Sequence, residues 1–181
     1  MRGGRSDETR LNRLVGRRGA VIRAEIRWRE GAEVEGFVIQ ANLVSLRDLT
    51  ANPSDEAGRL VVGVELSIQA PSIEAEDPLA AEGPHAEWLL DLEEAREIAD
   101  RIELLCAQVA PVKEGSPLVT VTYGARDDLT LAVHLPLEQG GRAWSAFIRT
   151  PEWSAECGIP VLAEIRRQLQ AALRRAGEKA R

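Results

Sequence analysis

Between Asp91 and Val109 the sequence DLEEAREIADRIELLCAQV repeats apolar residues at three- and four-residue spacing, the signature of an amphipathic helix. Leu92, Ala95, Ile98, Ala99, Ile102, Leu105, Cys106 and Val109 share one face, while Glu93, Glu97, Arg101 and Glu103 point away. Asp91 and Glu94 have capping-box spacing: the first takes amides of the first turn and the second reaches back. Both acids also suit the positive end of the helix dipole. Pro111 closes the run, because it biases Ala110 away from helical dihedrals. Such a stripe must be buried against something, and its flanks read as strands.

Upstream, Val21–Arg29 alternates Ile22, Ala24, Ile26 and Trp28 with Arg23, Glu25 and Arg27, the period of a half-buried strand. Glu30-Gly31-Ala32-Glu33 reads as a hairpin loop into a strand over Val34–Leu46, with Gly36 at a bulge or a close contact. Leu60–Ile68 is apolar enough on both faces to lie inside a sheet. The acidic stretch Gln69–His85 holds Pro71, Pro78 and Pro84, so the loop 69–86 is the candidate subdomain boundary. Trp88-Leu89-Leu90 is a short strand or a hydrophobic clamp at the helix start.

Downstream, Pro117–Tyr123, Leu129–Leu137 and Ala143–Thr150 form a three-stranded meander joined by turn-rich segments. A second amphipathic helix over Val161–Ala176 uses Leu162, Ile165, Leu169, Ala172 and Leu173, with Pro160 in its first turn. Runs of strands followed by helices predict an α+β fold with antiparallel sheet in two strand-rich halves. The two helices, about 91–109 and 160–176, are expected on one face. Residues 1–19 read as a mobile basic arm, 20–176 as one domain and 177–181 as a frayed end. The halves repeat in element order but share no matching residue pattern.

Charge is segregated along the chain. Residues 1–29 carry nine arginines against three acids and residues 160–181 six basic residues against two acids, while the stretch between carries eight against twenty-four. Arginine outnumbers lysine 21 to 2, which points to the coding bias of a GC-rich bacterial genome and weakens any arginine patch as an anion-binding signal. No apolar run of eighteen residues occurs, and the first ten residues lack an apolar signal core, so a cytoplasmic protein without membrane contact is expected. Two cysteines make no disulfide framework.

Catalytic chemistry finds little purchase. Glycines form no phosphate-binding pattern, and two cysteines with two histidines lack zinc-ligand spacing, so no cofactor, metal or catalytic residue is assigned. Cys157 precedes a helix N-terminus, a position that favours thiolate; with only His85 and His134 as candidate bases, a structural thiol is the weightier reading. Asp127-Asp128 and the acids at the helix start are explained as solvated turn and cap residues.

Two surfaces remain. The outer face of the C-terminal meander would display Thr120, Thr122, Thr130, Ala132, His134, Ser145, Phe147 and Arg149, a mixture suited to a small anionic ligand or a partner peptide. Its bland alternative is a solvated sheet face. The basic arm with Arg10, Arg13, Arg17, Arg18, Arg23 and Arg27 suits nucleic acid, or docking onto the acidic middle of another copy. The expectation is a non-enzymatic protein-binding or adaptor protein that acts through a sheet face or edge as a homodimer. A nucleic-acid-associated regulator is the alternative. A small-ligand sensor or enzyme built on His134, Ser145, Arg149 and Cys157 is the third.

Overall fold

The structure is a computed structural model that describes residues 14–15, 18–52, 60–72, 83–111, 117–125, 128–136 and 143–178. Arg10, Arg13 and Arg17, with most of the basic arm, lie outside the described residues. So do 73–82 of the proline-rich loop and 179–181.

Four strands come first: β1 (Ile22–Val34), β2 (Phe37–Asp48), β3 (Val61–Gln69) and β4 (His85–Asp91). They form one antiparallel sheet in chain order, and α1 (Leu92–Ala107) follows directly. The second half repeats the plan with β5 (Val119–Ala125), β6 (Leu129–Leu135), β7 (Ser145–Arg149), β8 (Ser154–Cys157) and α2 (Ile159–Glu178). The class is α+β, with both helices packed against the sheets. Because β3 and β4 pair with each other, the proline-rich stretch joins neighbouring strands of one sheet.

Three local expectations are corrected or refined. Residues Glu30–Glu33 are not a loop: they pair with Val38–Ala41 in the ladder, and the chain turns at Glu35-Gly36. There φ is 53° at Glu35 and 78° at Gly36, the left-handed dihedrals that a two-residue hairpin turn requires and glycine adopts without strain. Gly36 is the close contact of the two alternatives, since a Cβ there would stand 3.2 Å from Pro71, and the bulge sits at Arg27, between the pairs Ile26↔Val44 and Trp28↔Leu43. Ahead of the second helix the chain adds a further strand, β8, to the three-stranded meander expected. It is short, and its alternation of Ala155 and Cys157 with Ser154 and Glu156 offers only two inward positions.

Asp91 caps α1 as its spacing predicts. Its carboxylate accepts from the Glu93 and Glu94 amides at 3.1 and 3.0 Å, and Glu94 returns a bond to the Asp91 amide at 3.0 Å. The helix presents Ala95, Ile98, Ala99, Ile102 and Leu105 to the core, and α2 presents Val161, Leu162, Ile165, Leu169 and Ala172. These meet the inner sides of both sheets, among them Ile39, Val64, Leu66 and Ile68 from the first and Leu129, Leu131, Val133 and Ile148 from the second, in one continuous apolar cluster. Each Val, Leu or Ile among them contributes about 1.5–3 kcal/mol through burial, and each alanine less.

The second helix exchanges its main partner sheet relative to chain order, while still touching β7 of its own. Although α2 follows the second sheet, it lies across β1, β2 and β3 of the first, while α1 spans β3 and β4 as well as β5 and β6. Arg167 of α2 fastens the exchange by donating to Glu30 of β1 at 2.6 Å and to Glu164 of its own helix at 2.8 Å. The hydrogen bond from Arg167 holds the Glu164 carboxyl below its ordinary range.

Candidate binding face of the second sheet

Strict alternation along β5–β8 sends Val121, Tyr123, Leu131, Val133 and Ile148 toward the helices and their neighbours outward. The register arranges the outward residues in three rungs. Thr120, His134 and Ser145 form the first; Thr122, Ala132, Phe147 and Glu156 the second; Gly124, Thr130, Arg149 and Ser154 the third. Ala132 is the small residue at the centre. The taller side chains around it leave a shallow concavity of about 340 Å³, lined by Thr120, Thr122, Thr130, Ala132, His134, Phe147, Arg149 and Ser154.

Two contacts set the His134 ring. Its Nδ1 shares a 2.7 Å hydrogen bond with Thr120 Oγ1, and the Phe147 ring meets it edge to face at 72° with centroids 6.1 Å apart. Ser145 stands beside His134 in the same rung, half-buried, with its hydroxyl oxygen enclosed and without a partner. Arg149 at the opposite end is exposed, and among the described residues no carboxylate pairs with it. The seven outward residues expected on this face besides Ser145 therefore line one concavity, and Ser145 flanks it. Ser154 and Glu156 extend the face and were missed because β8 was not anticipated; the alternation of Ser154 and Glu156 with Ala155 and Cys157 was the available signal.

The other candidate groups are held elsewhere. Cys157 is buried, and burial, followed by the Glu35 and Glu156 charges, pushes its thiol up to about 12. A buried neutral thiol fits the structural reading of this residue, and the helix N-terminus beside it is taken by the Glu35 carboxylate. His85 shares a 2.8 Å hydrogen bond with Ser67 through Nε2, and Glu87 lies 3.4 Å from the same nitrogen. A catalytic relay needs the carboxylate on the opposite ring nitrogen, so these three do not form one. Among the described residues no group of three or more His, Cys, Asp or Glu side chains gathers to hold a metal.

The first sheet's outer side is already satisfied internally. Asn42, 3% exposed, accepts from Arg29 Nε at 3.2 Å and Gln40 Nε2 at 3.0 Å and donates to Glu65 at 2.6 Å. Of the described arm residues, Arg18 lies in a turn, and Arg23 and Arg27 both pair with Glu25. Among the described residues no helix is long and apolar enough to cross a membrane. No protein-family model matches the chain, and no characterised protein matches it significantly.

Proposed function

We propose that this chain is a non-enzymatic protein-binding module, an adaptor, whose second sheet receives a partner segment carrying an acidic side chain. The observation that carries the reading is Arg149. Among the described residues no carboxylate pairs with Arg149; Arg18, Arg29, Arg47, Arg96 and Arg174 share that property, but Arg149 is the arginine that lines the concavity. Among the described residues of this face the one acid is Glu156, which sits across from Phe147 and makes no ion pair with Arg149. A guanidinium presents a rigid fork to a carboxylate, so an incoming Asp or Glu can be bound by two parallel hydrogen bonds.

Magnitudes divide the labour. An exposed ion pair contributes about 0.2–1 kcal/mol, enough to choose a register but not to hold a partner. Phe147, half-buried beside the Ala132 floor, offers the apolar contact from which affinity has to come. The hydroxyls of Thr122, Thr130 and Ser154 supply neutral hydrogen bonds around it.

Selection of a displayed random-peptide library on the immobilised protein tests the reading. Bound peptides should share an acidic position beside an apolar one, and Arg149→Glu should weaken their binding by about tenfold while thermal unfolding stays unchanged. Absence of any acidic preference, or equal binding of the same peptides by Arg149→Glu, overturns it.

A further inference from the structure

The four edge strands of the two sheets are unequal. At 13 residues β1 is long, but it carries a bulge at Arg27 and the charged residues Arg23, Glu25, Arg29, Glu30 and Glu33. The shorter β4 bears His85, Glu87 and Asp91, and β8 has only four residues, one of them Glu156. Bulges, charges and brevity are the devices by which proteins keep an edge from pairing. The remaining edge, β5, reads Val-Thr-Val-Thr-Tyr-Gly-Ala, seven residues with no charge, proline or bulge. Among the described residues only β6 pairs with it. Its Val119, Val121 and Tyr123 are left half-buried, and Leu118 just before it is 49% exposed.

We infer that two copies of this chain join through β5, antiparallel about a twofold axis at Thr122, to make one continuous eight-stranded sheet from their second sheets. The sequence of β5 is self-complementary in that register. Val121 of one copy lies opposite Tyr123 of the other, twice, and aromatic with β-branched is a favourable cross-strand pair. Thr122 faces Thr122, and Val119 faces Ala125. Charge permits the same place: residues 30–159 carry twenty-four acids against eight basic residues, and β5 is an uncharged strand within them, so meeting its equal there brings no like charges of the strand together. A heterologous edge contact would leave a free edge for further copies, whereas the twofold pairing closes.

The pairing sets the Thr120 and Thr122 rims of both concavities side by side across the axis. A dimer then presents two equivalent Arg149 sites on one surface, and a partner with repeated acidic segments gains from the high local concentration of the second site. This bivalent use rests on the binding reading above; the pairing itself does not.

Light scattering across a concentration series, combined with two variants, decides it. The wild type should double the 19.8 kDa chain mass. Val121→Lys, which places an inward-pointing charge on the edge, should remain single with its thermal transition retained and should still bind the selected acidic peptides one to one. Thr122→Cys should form an intermolecular disulfide on mild oxidation, because residues opposed across antiparallel strands stand about 4.5–5.5 Å apart at Cα. Ser67→Cys on the first sheet and the wild type, with its free Cys106 and buried Cys157, should not. A wild type of single mass throughout, a Val121→Lys dimer, or Thr122→Cys without cross-linking overturns the pairing. Should Val121→Lys unfold, the cysteine result alone decides. Peptide binding that fails in both single and paired forms sinks the face and leaves the dimer standing.

Discussion

The Gly158 amide donates a 2.6 Å hydrogen bond to the carboxylate of Glu35, 123 residues earlier in the chain. Glu35 is at the tip of the β1–β2 hairpin with φ at 53°, and Gly158 is the residue before α2 begins. The contact therefore places an anion at the positive end of the helix that covers the first sheet. A side chain at 158 would overlap the same carboxylate and displace it from the helix end.

Glu35→Ala keeps the strained dihedral but removes the cap, and should lower unfolding free energy by about 1 kcal/mol. Gly158→Ala should cost a similar amount by displacing the carboxylate. Because both act on one contact, the double variant should lose less than the two single losses together, as read from denaturant midpoints.

Asp91→Ala should cost about 1 kcal/mol, since it leaves the Glu93 and Glu94 amides without their acceptor. Glu94→Ala removes the return bond from the Asp91 amide while leaving the two amides of the first turn capped, and should cost less. Urea unfolding of the two variants gives the order directly.

Ile102 and Leu104 lie two residues apart on α1 but on opposite sides of it. Ile102 is fully buried and Leu104 is 53% exposed. Truncation of Ile102 to Ala should cost about 2–5 kcal/mol through lost burial and a residual cavity, while Leu104→Ala should stay within about 0.5 kcal/mol. Equal losses would contradict the placement of the helix stripe.

Cys157 should couple stability to alkaline pH. Its folded thiol is pushed up to about 12 from an ordinary value of 9.0, so the neutral form is favoured in the folded protein. Below pH 9 both states are protonated and the contribution is complete; between 9 and 12 only the unfolded chain releases the proton, and stability falls. The slope attributable to this group approaches about 1.4 kcal/mol per pH unit. Cys157→Ser should lack that component, and the wild-type thiol should react with a disulfide reagent at pH 8 far more slowly than an exposed one.

Both helices, the α+β class and most strands are legible in the residues because their signals are local. The Asp91–Glu94 spacing and the stripe from Leu92 to Leu105 need no neighbour to define a helix. Alternation places Thr120, Thr122, His134 and Phe147 on one side of their strands, so the composition of the face follows from period two alone. Where the first hairpin turned was less plain. Glu30-Gly31-Ala32-Glu33 and Glu35-Gly36 both carry turn chemistry, and the choice between them falls to the pairing of Glu33 with Val38 and Ala32 with Ile39. Strand order decided the rest. That β5 is an edge, that α2 crosses to the first sheet and that Glu35 reaches Gly158 are relations between distant segments, set by which arrangement buries both apolar stripes in one core. Periodicity tells each segment which side to bury, but only the packed chain chooses what it is buried against.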